Sequence, residues 1–194
     1  MSAETPAPNL DQPLDRAAAE TDAVPEPVGC GLAAEKARRL ARIDALRAAG
    51  VTPYPYRFDR THTVAEVRAN WGDLEPGIET DESVTVAGRI MLMRDSGKLI
   101  FAALRDRSGD VQLFVSKAVV GDDAFAEIKQ LDLGDWVGVA GTVMTTRKGE
   151  LSVKAERIEL LAKAVRPLPD KWHGLSDVDT RFRQRYADLI VNAE

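Results

Sequence analysis

The chain has 194 residues, 44% of them hydrophobic and 29% charged, with a net charge of −5, one cysteine and two histidines. This length accommodates one ordinary domain with attachments, whose core needs neither disulfides nor a structural metal. Cys30, His62 and His173 cannot supply the ligands of a zinc site, and the sequence has neither a basic, apolar leader nor eighteen apolar residues in a row, so a cytoplasmic protein with no metal and no membrane partner is expected.

Residues 1–34 carry Glu4, Asp11, Asp15, Glu20, Asp22 and Glu26 against Arg16 alone, which accounts for the whole net charge. Rich in Pro and Ala and poor in large apolar groups, residues 1–31 are expected to form a disordered acidic tail. Elsewhere acids and bases balance overall, yet the bases cluster: seven against three acids at 35–60, six against three at 89–117 and six against three at 163–185. Such patches, rather than the overall charge, decide whether a polyanion can dock.

Residues 32–82 read as a helical extension. LAAEKARRLARIDALRAAG (32–50) places Leu40, Ile43 and Leu46 at helical spacing and ends on Gly50, predicting an amphipathic helix. Its basic face of Lys36, Arg38, Arg39, Arg42 and Arg47 is either the solvated flank of a docked helix or a phosphate-contacting surface. Pro53 and Pro55 hold the following segment extended. THTVAEVRANW (61–71) predicts a short helix in which Thr63 is the N-cap and Glu66 completes a capping box.

From Ser83 the apolar period changes to two. SVTVAGRIMLMR (83–94), KLIFAALRD (98–106), DVQLFVS (110–116), DWVGVAGTVMTT (135–146) and ELSVKAERIELL (150–161) read as five strands separated by glycine-containing turn signals. GDDAFAEIKQLDLGD (121–135) inserts a helix between the third and fourth. The predicted fold is therefore mainly β with helices: a five-stranded OB-fold Greek-key barrel over 83–162, preceded by an amphipathic N-terminal helix.

Alternation assigns faces. With Ile100, Ala102 and Leu104 filling the barrel, Phe101, Ala103 and Arg105 point outward; with Val111, Leu113 and Val115 inside, Gln112 and Phe114 point outward; with Leu151 and Val153 inside, Glu150, Ser152 and Lys154 face out. Strict alternation turns Arg94 inward with Val84 and Ile90, and only a bulge at Gly88 or the strand's end re-aims it. An outward ring, amide and carboxylate on separate strands, with bases nearby, suit a nucleobase: the ring stacks and the polar groups meet a base edge. Each residue taken singly is also ordinary barrel surface.

KAVRPLPDKWHGLSDVDTRFRQRYADLIVN (163–192) resembles the connection between barrel and catalytic domain in class II lysyl-tRNA synthetases. GRIMLMRDSGKLIF (88–101), GDVQLFV (109–115), LGDWVGVAG (133–141) and KGELSV (148–153) resemble that family's barrel motifs, in order. The resemblance covers 35–194, and its RPLP, HGL, RQRY and DLI series separates lysyl from aspartyl and asparaginyl relatives. It implies a barrel that grips the anticodon of the lysine-accepting tRNA. Phe101 would stack on the middle anticodon base, Gln112 would meet its Watson–Crick edge, Arg94 would act from the turn after the first strand, and Glu150 from the start of the fifth. Arg105, where the family carries an uncharged polar residue, is read as a contact to the RNA backbone or a neutral surface change.

By the same resemblance, residues 163–194 are a linker toward a class II catalytic domain that uses ATP and Mg, and Glu194 falls where that domain's first segment would begin. None of its three motifs occurs here, nor a Walker loop or a Ser/His/Asp set. The expectation is no catalytic residue, no cofactor in this chain and no ligase activity on its own, with His173 structural. RQRY (183–186) would keep a family-type subunit contact, allowing a homodimer. Two other readings stand beside this one: a stand-alone OB-fold binder of single-stranded nucleic acid without anticodon preference, and a protein-interaction remnant that binds no RNA.

Overall fold

The computed structural model describes residues 31–169 and 177–192; the acidic tail, Cys30 and His173 lie outside the described residues. In chain order the elements are α1 (Leu32–Ala48), α2 (Val64–Trp71), β1 (Glu79–Asp95), β2 (Leu99–Asp106), β3 (Gly109–Ser116), α3 (Lys117–Val120), α4 (Asp122–Ile128), β4 (Trp136–Thr145), β5 (Leu151–Ala162), α5 (Val178–Arg183) and α6 (Arg185–Val191). The strands close into a barrel in the order β1-β2-β3-β5-β4. All pairings are antiparallel except β3 with β5. This is the five-stranded OB-fold arrangement expected from the strand pattern, with a helical insertion between β3 and β4.

Alternating residues fill the barrel. Val86, Leu104, Val137, Val139, Val143 and Val153 are fully buried, and Ile90, Ile100, Val111, Leu113 and Val115 nearly so. Apolar helix residues join the same core: Val64 and Val67 from α2, Phe125 and Ile128 from α4. α2 lies at the end of the barrel where β2 turns into β3. There the Val64 N–H donates to the Asp106 carboxylate (3.0 Å) and the Ala65 N–H to Ser108 Oγ (2.9 Å). The Glu66 N–H donates to Thr63 Oγ1 (3.2 Å) and the Thr63 N–H to Glu66 Oε2 (2.7 Å), the expected capping box. Donors that the helix itself leaves unpaired are thus met by its cap and by the hairpin it covers. α4 covers the other end, where Lys129 pairs with Asp95 (2.8 Å).

α1 corrects one expectation. Ile43 is buried and Leu46 half-buried as expected, but Leu40 is exposed and Arg39 is buried instead, so the docked face follows Glu35, Arg39, Ile43 and Leu46. The reason is a polar anchor. Arg39 donates to Glu35 Oε1 (2.7 Å) and to the carbonyls of Leu133 (3.2 Å) and Ala164 (3.1 Å), while Arg38 pairs with Glu35 and Asp132. Beneath them, fully buried Asp135 accepts from Lys163 Nζ (2.8 Å), the Asp132 N–H (2.8 Å) and the Ala164 N–H (2.8 Å). Lys163 also pairs with Asp132. Hydrogen bonds from Arg38 and then Arg39 hold the Glu35 carboxyl down at about 2. Asp132 is also lowered: its burial opposes ionisation, but its bonds to Lys163 and Arg38 outweigh that. The predicted basic face is thereby divided, with Arg38 and Arg39 committed to docking and Lys36 and Arg47 exposed.

Candidate nucleic-acid interface

Strand register lays out the outer face of β1, β2, β3 and β5 as rows. One row runs Arg94, Phe101, Phe114, Lys154, and the next runs Leu92, Ala103, Gln112, Ser152. A third pairs Arg105 with Asp110, next to the start of β5 and Glu150. Across an antiparallel pair, diagonal neighbours such as Phe101 and Gln112 lie about 7–8 Å apart at Cα. A base lying on the Phe101 ring would therefore have its edge within reach of the Gln112 amide.

Arg94 belongs to this face because of a bulge, although not the one expected. β1 shifts register between Ile90 and Leu92 rather than at Gly88, leaving Ile90 and Met91 both buried. The extra residue inverts the alternation, so Met93 packs on the core and Arg94 is exposed opposite Phe101. Asp95 follows, its carboxyl held below the usual range first by Lys129 and then by the Gly97 N–H. Gly97 takes φ +76° in the β1–β2 turn, a conformation that costs glycine little.

Phe101 is half-buried and meets Phe114 edge to face, with centroids 5.5 Å apart and planes at 71°. The Phe101 ring is therefore supported from within the sheet. Alternation alone turns Phe114 outward, whereas its contact with Phe101 depends on the β2–β3 register.

Gln112 is half-buried and its Nε2 donates to Ser152 Oγ (2.9 Å). Ser152 corrects the expectation for its strand: it lies on the outward side but is fully buried, since Gln112 of the neighbouring strand lies against it. Nothing local signals this; β3 and β5 pair in parallel across some forty positions of sequence. Glu150, exposed just before β5, accepts through its main-chain carbonyl from the Thr146 N–H (2.9 Å) and Ser152 Oγ (3.1 Å). Its carboxylate and the Arg94 guanidinium have no ion pair among the described residues, and neither do exposed Lys98, Arg147 and Lys148 in the β1–β2 and β4–β5 turns.

The remaining charges are matched internally. Lys154 pairs with Glu79 (2.6 Å). Arg105 forks onto Asp110 (2.6 and 2.7 Å), which raises the guanidinium pKa further. Arg105 is thus a cross-strand partner. Among the described residues no group of three or more His, Cys, Asp and Glu side chains is arranged to hold a metal ion, and no helix is long and apolar enough to cross a membrane.

The closed barrel and this face define an OB-fold nucleic-acid-binding domain, and the family model described as "OB-fold nucleic acid binding domain" matches residues 84–161. Three lysine–tRNA ligases show how far the similarity extends. That of Synechococcus sp. (strain RCC307) is 51% identical over 157 residues, 80% of this chain and 31% of the relative. That of Magnetococcus marinus is 51% identical over 160 residues, 81% of this chain and 32% of the relative. That of Enterococcus faecalis is 50% identical over 158 residues, 80% of this chain and 32% of the relative. Over about four fifths of its length the chain is thus similar to the N-terminal region of lysine–tRNA ligases. It spans about a third of the length of the curated relatives it matches.

Proposed function

We propose that this chain binds the lysine-accepting tRNA by its anticodon and supplies recognition to the ligase reaction without performing it. The observation that carries the reading is the row geometry: an unpaired arginine directly opposite a sheet-supported phenylalanine, with an amide on the diagonal. Phe101 stacks on the middle anticodon base, Gln112 meets its edge, Arg94 approaches phosphate or ring from one side, and Glu150 offers an acceptor at the other end of the face. Lys98, Arg147 and Lys148 give the RNA backbone unpaired cations at both ends. The middle base of a lysine anticodon is uridine, whose edge offers both a donor and acceptors, and an amide can answer both.

The same proposal places the chain in the cytoplasm. It assigns ATP and Mg to the catalytic region of the ligases and no cofactor to these residues. RQRY, whose own Tyr186 is exposed together with neighbouring Val178, Phe182 and Leu189, would provide the surface for a homodimer, testable by sedimentation at rising concentration.

The deciding experiment titrates the chain with lysine tRNA and with the same tRNA carrying cytidine at the middle anticodon position. Tighter binding of the first supports anticodon reading. Equal binding of both indicates a general single-strand binder, and no binding leaves a protein-interaction module. Lysine-dependent ATP–pyrophosphate exchange by the pure chain would overturn the division of labour.

A further inference from the structure

We infer that Ser152 is a positioning residue that sets the base preference of the face by holding the Gln112 amide in one of its two orientations. The argument is hydrogen-bond arithmetic. A serine hydroxyl has one proton, and that of Ser152 is directed to the Glu150 carbonyl, 3.1 Å away. Toward Gln112, at 2.9 Å, the hydroxyl oxygen can only accept. The amide must therefore turn its NH2 to Ser152, because a carbonyl there would oppose two lone pairs with no hydrogen between them. The Glu150 carbonyl is itself fixed, accepting from the Thr146 N–H at 2.9 Å. Ser152 is fully buried, so water does not compete for its oxygen.

The chain Glu150 carbonyl, Ser152 hydroxyl, Gln112 amide thus leaves Oε1 and one Nε2–H of Gln112 for a ligand. A pinned Oε1 demands a donor from the base. With the base stacked on Phe101 so that its N3 faces Oε1, uridine donates its N3 proton; cytidine presents a bare N3 lone pair there, and its only edge donor, the 4-amino group, lies beside N3 rather than at it. A glutamine free to flip would accept either base by exchanging its carbonyl and NH2 ends. Ser152 thus converts a residue that tolerates both pyrimidines into one that selects uridine. This inference rests on the anticodon reading above, and its test separates the two.

The ratio of Kd values for the cytidine-substituted and normal lysine tRNA is measured for the wild type, Ser152→Ala, Gln112→Ala and the double variant. Loss of one neutral hydrogen bond should shrink the wild-type ratio by about three- to tenfold in Ser152→Ala. In the Gln112→Ala background Ser152→Ala should change the ratio no further, since Ser152 acts through Gln112. An unchanged ratio in Ser152→Ala, or an equal fall in both backgrounds, overturns the inference. Ser152→Cys keeps the volume with a poor acceptor and takes the place of Ser152→Ala should that variant lose its melting transition. A second arm needs no RNA: in the free protein the Gln112 side-chain NH2 should exchange with solvent more slowly than in Ser152→Ala, and equal exchange would overturn the inference. Failure of the wild type to prefer uridine would instead defeat the anticodon reading, while the exchange arm still decides whether Ser152 holds the amide.

Discussion

The four side chains proposed to meet RNA differ in what they owe to their neighbours, and so in how they should respond to substitution. Phe101 offers a π-face to any base, so Phe101→Ala should weaken every anticodon alike, by about 1–3 kcal/mol, as read by tRNA titration with normal and substituted anticodons. Gln112→Glu removes the amide donors and adds a charge, so its loss should be largest for the uridine-centred anticodon. Neither residue belongs to the barrel core, so both variants should keep a cooperative melting transition. Arg105→Gln should leave RNA affinity near wild type, because the guanidinium is already engaged by Asp110. It should cost about 1 kcal/mol of stability or less, as partly exposed pairs do. A clear fall in affinity on that substitution would restore Arg105 to the interface.

At the scale of elements, the docking of α1 and the join of β4 to β5 carry the most specific expectations. Glu35 has its pKa lowered from 4.5 to about 2 in the folded chain. A depressed carboxyl contributes stability that is present above the unfolded value and is lost as pH falls toward the folded one. Glu35→Gln should therefore melt lower than wild type at pH 7, and the gap should narrow as pH drops from 4.5 toward 2. A gap independent of pH would mean that Glu35 does not stabilise α1 through its charge. Gly141 is packed so that a Cβ would fall 2.0 Å from the Lys154 carbonyl oxygen. That oxygen belongs to a paired strand and cannot move alone, so Gly141→Ala should destabilise by about 1–3 kcal/mol or more, read by denaturant unfolding.

For the whole molecule, one buried cluster joins the helical extension, the loop before β4 and the segment after β5. Replacing Lys163 by Met would leave Asp135, fully buried, without its cation, a change of the kind that costs about 3–5 kcal/mol. Loss of cooperative unfolding between α1 and the barrel should accompany it, visible as amide exchange of 32–48 decoupled from that of the strands. Charge acts differently at this scale. Neutralising exposed Lys148 or Lys98 should lower affinity for all tRNAs and flatten the salt dependence. Arg38 and Arg39 should instead affect melting, since their charges are spent on α1 docking.

The barrel was legible in the chain because strand periodicity is local: Ile100, Ala102 and Leu104 alternate with Phe101, Ala103 and Arg105 whatever lies across from them. The capping box of Thr63 and Glu66 was legible for the same reason, being complete within four residues. Phe101, Gln112 and Glu150 were placed outside by that alternation alone, and the family motifs suggested their roles. What the sequence could not determine are facts of register and burial. A one-residue bulge at Met91 turns Arg94 outward, and no local pattern distinguishes it from the bulge at Gly88 or from none. Arg38 and Arg39 look like solvated bases until Asp132, Leu133 and Ala164 are brought beside them from more than ninety positions away. Ser152 looks like surface until the parallel pairing of β3 with β5 sets Gln112 against it. Side-chain direction follows from neighbouring residues in the chain, whereas burial, pairing of charges and orientation of an amide depend on atoms that only the closed barrel brings together.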